Sequence, residues 1–165
     1  MRILFFVFTM AISSFCLAQD VSNKKQANNI FSIAAGGTPT TAGVTYEHIL
    51  NNRKTSLEIG VGLLGGGLGV NLYQFKPFNP EQINSFLGVR SSFNIQGSGG
   101  SRLVNYLLIG VNYLSSKKLY LSIDIGPAFI VQLSHNGYPN PNKLLPDYPE
   151  YIFGVYGGIK FGFGF

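Results

Sequence analysis

Few side chains in this 165-residue sequence could perform nucleophilic or acid–base chemistry. The two histidines are His48 and His135, and His135 follows Ser134, with Asp147 and Glu150 downstream. A serine, a histidine and an acid are the nucleophile, base and orienting group of many hydrolases and acyltransferases. However, adjacent residues of a strand point in opposite directions, so Ser134 and His135 form no dyad by adjacency alone. The sequence therefore predicts a non-enzymatic protein without a catalytic residue, and an enzyme that uses His135 is the alternative.

No cofactor or metal is expected. The single cysteine, Cys16, lies in an apolar leader, and the two histidines are not at the spacing of metal ligands. The glycine runs at 65–67 and 97–100 resemble phosphate loops only in composition, because neither precedes a helix with a Lys-Ser/Thr pair. The formal net charge of +5 comes from scattered lysines and arginines without interleaved aromatics, so no nucleic acid partner is expected.

Five charged residues stand inside segments that alternate between apolar and small or polar residues. They are Glu47, Glu58, Arg90, Asp124 and Lys160. A buried charge is tolerated when it is paired and hydrogen-bonded. With three acids and two bases, we expect a polar network that holds the strands in register inside a narrow barrel, rather than an ion path.

The first 18 residues have the order of a secretory signal. Arg2 supplies the positive start, an apolar run extends to Leu17, and the small Ala18 marks the predicted cleavage site. The run is shorter than the roughly 20 apolar residues of a spanning helix, which argues against a membrane anchor. Bulky Phe15 also argues against a lipid anchor on Cys16. The sequence therefore predicts an exported chain that is cut after Ala18.

The composition is unusual for a soluble domain. Charged residues make up 12% of the chain, whereas soluble domains carry about 25%. No second apolar run approaches about 18 residues, which excludes a helical membrane protein. A closed β-barrel is the other structure that satisfies every backbone hydrogen bond in lipid.

Alternation with a period of two supports the barrel. The last segment carries a nearly unbroken apolar stripe on its odd positions: Tyr151, Phe153, Val155, Ile159, Phe161, Phe163 and Phe165. Its even positions are mostly glycine, which is typical of a lipid-facing wall over a narrow interior. Similar segments predict strands at 29–36, 43–50, 55–64, 68–75, 86–96, 102–114, 118–134 and 151–165. We expect a bulge or kink at Pro127, whereas the short link 65–67 and the long link 76–85 fit the barrel poorly.

With these features, the chain resembles the small outer-membrane β-barrel proteins of Gram-negative bacteria. Members of this class end in an assembly signal of glycine and alternating hydrophobic residues that closes on an aromatic residue. Gly158, Phe161 and Phe163 match its spacing, and Phe165 supplies the terminal aromatic two residues beyond the best match. The resemblance implies location in the outer membrane, contact with outer-membrane lipid, and recognition by the barrel assembly machinery.

The predicted architecture is an all-β, eight-stranded antiparallel up-and-down transmembrane barrel. It has a cleaved signal at 1–18, a flexible periplasmic tail at 19–28 and the barrel domain at 29–165. The proline-rich segment 135–150 is a candidate extracellular binding loop for an unidentified ligand, and its candidate contacts are His135, Tyr138, Asn140, Asn142 and Tyr148. A plain solvated loop is the alternative. We expect a structural or surface-interaction role; a lipid-modifying barrel enzyme and a soluble periplasmic ligand-binding barrel are the alternatives.

Overall fold

The computed structural model describes residues 27–73, 77–96, 100–133 and 150–165, and these form one closed barrel. Every regular element in these ranges is a strand. The strands are β1 (Asn29–Gly36), β2 (Ala42–Ile49), β3 (Thr55–Gly62), β4 (Gly65–Leu72), β5 (Ile83–Gln96), β6 (Gly100–Leu114), β7 (Leu119–Gln132) and β8 (Glu150–Gly164). This confirms the predicted all-β, eight-stranded antiparallel up-and-down barrel. No helix long and apolar enough to cross a membrane occurs in these ranges.

Closure of the barrel joins the first and last strands. Each strand pairs antiparallel with the next, and β8 pairs with β1. Phe165 completes this seam, because its N–H donates to the Asn29 carbonyl at 2.8 Å and its carbonyl accepts from the Asn29 N–H at 3.2 Å. The terminal aromatic residue is therefore part of the seam that closes the barrel.

The stagger of the strands can be followed once around the barrel. Ile30 pairs directly with Gly164 of β8, whereas the path of partners from Ile30 through the other strands reaches β8 at Gly154, ten residues away. With ordinary strand spacings, this stagger corresponds to a strand tilt of about 40°. A barrel of eight such strands is just wide enough to be filled by its own side chains.

The two ends of the barrel differ. The terminal end, which holds both ends of the barrel domain, carries the connections 50–54, 73–82 and 115–118. The loop end carries the turns 37–41 and 63–64 and the two connections to β6 and β8. Strands β5 to β8 are longer than β1 to β4, and residues 150–157 of β8 pair with β7 but extend beyond the last residue of β1.

The predicted link at 65–67 is wrong. These glycines open β4, and a two-residue turn at 63–64 makes the hairpin, with Gly62 paired to Gly65. Glycine is required because β5 approaches closely: a Cβ added to Gly65 would collide with the Phe93 carbonyl oxygen. Glycine runs are typical of turns, but here the absence of side chains permits close strand contact. The following connection is long, as expected, but occupies 73–82 because β5 begins at Ile83.

Of the bulge or kink expected at Pro127, the bulge is absent. The β6–β7 ladder is interrupted opposite Gly126 and Pro127, but the pairing on both sides of the gap keeps the same register. No extra residue is therefore inserted. A Cβ on Gly126 would collide with the Leu107 carbonyl oxygen, so glycine lets the two strands stay close where proline supplies no N–H.

Candidate functional site

Four of the five charged side chains predicted to face inward form one ionic cluster across the barrel. Arg90 Nη2 lies 2.8 Å from Glu58 Oε2, and Arg90 Nη1 lies 2.5 Å from Asp124 Oδ2. Lys160 Nζ lies 2.5 Å from the same Glu58 oxygen. The cluster is buried and draws its members from β3, β5, β7 and β8. Because the partners are distant along the chain, these contacts tie non-adjacent strands together.

Neutral groups add further hydrogen bonds to this cluster. Arg90 Nη2 also donates to Asn71 Oδ1 at 3.2 Å, and Nη1 donates to the Tyr106 hydroxyl at 3.3 Å. The Thr38 hydroxyl donates to the second oxygen of Glu58. A Cβ at Gly69 would lie 2.9 Å from Arg90 Cγ, so glycine at this position leaves room for the arginine stem. The packing around Arg90 therefore fixes its planar guanidinium in one orientation.

Glu47 lies in a second cluster and has no ion pair with any described residue. Its carboxylate accepts hydrogen bonds from Asn71 Nδ2 at 2.8 Å, from the Tyr120 hydroxyl at 3.0 Å and from the Tyr73 hydroxyl at 3.2 Å. The Ser56 hydroxyl also donates to it. Four neutral donors thus surround one buried carboxylate, an arrangement that suits an acceptor-only group. Asn71 joins the two clusters, since its amide oxygen accepts from Arg90.

An apolar floor of packed rings lies at the terminal end of the interior. Phe78 comes from the 73–82 connection and turns into the barrel, where its ring centroid lies 5.4 Å from that of Tyr73. The Tyr73 ring also packs against Phe86 at 5.8 Å. Arg53 holds the connection in place, because its carbonyl accepts the Phe78 N–H at 2.7 Å and its Nη1 donates to the Phe78 carbonyl at 3.2 Å.

The β1–β2 turn enters the interior at the loop end. Gly36 and Gly37 have φ angles of 73° and 67°, which direct the turn inward and bury Thr38 completely. A Cβ on Gly60 would lie 2.8 Å from Thr38 Cβ, so glycine on the barrel wall makes space for the inserted turn. The Tyr156 hydroxyl donates to the Thr40 carbonyl and holds the turn from the opposite side. Described residues of two connections, Phe78 and Thr38, therefore occupy the two ends of the interior.

The histidine that the structure describes does not form a catalytic constellation. His48 is half-buried at the terminal end of β2, with Nδ1 2.7 Å from Asn29 Oδ1. The same amide oxygen accepts a hydrogen bond from Tyr46 at 2.8 Å. Among the described residues, no group of three or more His, Cys, Asp or Glu side chains could hold a metal ion. The loop candidates lie outside the described residues: His135, Tyr138, Asn140, Asn142 and Tyr148.

The residues of the predicted assembly signal lie on β8 and at its end. Phe161 faces outward, and the Phe163 ring packs 6.0 Å from Phe31 and 6.0 Å from Phe165 between ring centroids. Gly158 lies against the β1–β2 turn, where a Cβ would be 3.0 Å from the Gly37 nitrogen. The aromatic residues thus cover the outside of the closing seam. The signal peptide 1–18 and most of the tail 19–28 lie outside the described residues.

The interior residues that the sequence did not predict include Thr38, Phe78 and Tyr106. Thr38 and Phe78 belong to connections, and period-two alternation assigns no face to connections. Tyr106 lies in a part of β6 that is apolar on both faces, so alternation between apolar and polar residues could not show that it points inward. Comparison of the chain with protein-family models, curated proteins and solved structures finds no match.

Proposed function

We propose that the chain is a non-enzymatic outer-membrane β-barrel protein with a structural or surface-interaction role and no open pore. The observation that carries the proposal is the inverted polarity of the barrel. Large apolar side chains cover the outside, including Val61 at 61%, Leu107 at 61% and Phe153 at 82% exposure. The inside holds the two charged clusters. A soluble ligand-binding barrel requires the opposite arrangement, a polar exterior and an apolar lumen.

Charged residues avoid the outer face throughout the described strands. Six charged residues of the strands have described side chains, and five of these are buried in the interior. The sixth, Arg102, is half-buried, and its Nε donates a hydrogen bond to Gln132. A wall in water would not need this exclusion, whereas a charge on the lipid face costs about 2–4 kcal/mol for Arg or Lys at the bilayer midplane. The uncharged wall therefore supports contact with hydrocarbon.

Two belts of aromatic side chains border the apolar wall. The belt near the terminal end contains Phe31, Tyr46, Tyr113 and Phe163, and the belt near the loop end contains Phe93, Phe129, Tyr151 and Phe153. Phe153 and Phe163 are ten residues apart on β8. At about 3.4 Å per residue and a tilt of about 40°, the belts are about 26 Å apart. This separation agrees with the apolar band of about 25 Å in outer-membrane barrels.

The filled interior supports a role without conduction. Arg90, Tyr73 and Phe78 are buried inside the barrel, and so is Thr38 of the β1–β2 turn. An even number of strands puts both termini on one side, which is the periplasmic side in this class. Recognition by the assembly machinery through Phe161, Phe163 and Phe165 belongs to the same proposal.

Cell fractionation tests the proposal directly. We expect the full chain, expressed with residues 1–18 in a Gram-negative host, to fractionate with the outer membrane, to require detergent for extraction and to begin at Gln19. The folded protein should migrate differently in unheated and heated gel samples. Recovery as a soluble periplasmic protein would contradict the proposal and favour the ligand-binding barrel. An altered lipid A profile that disappears in His135→Ala would instead favour the enzyme.

A further inference from the structure

Exposed lysines occupy two connections at the terminal end of the barrel. Lys54 lies between β2 and β3, and Lys117 and Lys118 lie between β6 and β7. We call these three residues the basic rim. The ion pairs in the described part of the chain all lie inside the barrel, so the rim lysines have no carboxylate partner there. Arg53 lies at the same end but is not counted in the rim, because it is half-buried and its Nη2 donates to Asn28 Oδ1 at 3.0 Å.

The basic rim lies just beyond the aromatic belt of the terminal end. Tyr113 belongs to that belt, is 40% exposed and precedes Lys117 by only four residues. The β2–β3 and β6–β7 connections are four strands apart in a ring of eight, so the lysines lie on opposite sides of the barrel. Headgroups extend the bilayer by roughly 5–7 Å beyond each face of its hydrocarbon core, a depth that a lysine side chain can span.

We propose that the basic rim binds the phosphate groups of anionic phospholipids in the leaflet at the terminal end. This inference rests on the proposed membrane location. Charge complementarity argues for it: three lysines without a carboxylate partner among the described residues lie on two opposite sides of the barrel, just beyond the aromatic belt. Glu81 is the exposed carboxylate described at the same end. Each lysine near an anionic surface strengthens binding on the order of fivefold. The rim thereby selects the lipids that border one end of the barrel.

Lipid retention measures this selection. The folded, full mature chain is placed in nanodiscs of equal phosphatidylglycerol and phosphatidylcholine, and native mass spectrometry counts the lipids that stay bound. We expect the wild type to retain phosphatidylglycerol preferentially. In the variant Lys54→Gln/Lys117→Gln/Lys118→Asn, the ratio of retained phosphatidylglycerol to phosphatidylcholine should fall at least about fivefold. Asparagine is chosen at 118 because φ there is 65°. The neutral control Asn51→Gln/Ser116→Gln should keep the preference, and Glu81→Gln should increase it.

Failure of this inference and failure of the proposed function give different results. If the wild type does not insert into vesicles of phosphatidylcholine alone, the membrane proposal fails. If it inserts, but the triple variant keeps the wild-type preference, the rim assignment alone is overturned. Sodium phosphate should reduce the preference no more than sodium chloride of equal ionic strength. Stronger displacement by phosphate would reveal a free-anion site and would also overturn the lipid assignment.

Discussion

Arg90→Met tests whether the ionic cluster stabilises the barrel. Methionine keeps much of the arginine stem but removes the cation that joins Glu58 and Asp124. Glu58 retains Lys160 at 2.5 Å and the Thr38 hydroxyl, whereas Asp124 loses the only ion-pair partner described for it. Removing one partner of a buried ion pair typically costs 3–5 kcal/mol. We therefore expect the free energy of unfolding to fall by about 3–5 kcal/mol.

A second substitution separates stranded charge from lost packing. Arg90→Met/Asp124→Asn removes the carboxylate that Arg90→Met leaves unpaired. The double variant should therefore be more stable than Arg90→Met alone, by at least about 1 kcal/mol, although it carries one more substitution. Arg102→Met is the matched control, because Arg102 is half-buried and bonds to neutral Gln132. We expect it to cost about 1 kcal/mol.

Denaturant unfolding of the reconstituted barrel provides the measurement. The chain has no tryptophan, so far-UV circular dichroism is the main probe, and the gel mobility of unheated samples reports the folded fraction. A loss below about 1 kcal/mol in Arg90→Met would refute the argument, because a buried carboxylate without a partner costs more than this. A double variant less stable than Arg90→Met would refute the assignment to Asp124.

Three further predictions use the same unfolding assay. Gly62→Ala should destabilise the barrel by more than about 1 kcal/mol, since the new Cβ would collide with the Pro39 carbonyl oxygen. In the control Gly154→Ala, the new Cβ meets nothing within 4 Å, so the stability should stay within about 0.5 kcal/mol of wild type. Equal losses would contradict the placement of the inserted turn. Glu47→Gln should cost about 1–3 kcal/mol because the hydrogen bonds of Asn71 and Tyr120 to Glu47 would lose their charged acceptor, and a neutral result would show that the carboxylate is not held as described. Lys118→Gly should raise the unfolding free energy by up to about 1 kcal/mol by relieving the positive φ of 65°, and a loss would contradict that backbone conformation.

Local pattern predicts much of the wall. Apolar residues at every second position identified eight strands, and in β3 the alternation put Ile59 outward and Glu58 inward, as the structure has them. This succeeds because side chains of a strand alternate between its two faces, a rule that needs only the local sequence. The same rule fails at 65–67, where glycine marks close strand contact rather than a turn.

Contacts across the interior depend on closure. The alternation predicted that Glu47 and Glu58 both face the interior. It did not predict that Glu58 binds Arg90 and Lys160, whereas Glu47 binds neutral donors. Those partners depend on the ten-residue stagger, which sets the height of each strand relative to the strands across the lumen. Thr38 and Phe78 enter the interior from connections, where no periodic rule applies. The sequence by itself determined the strands and their faces, because both follow from local backbone geometry, whereas tertiary structure decided the partners inside, because they require all eight strands in one closed register.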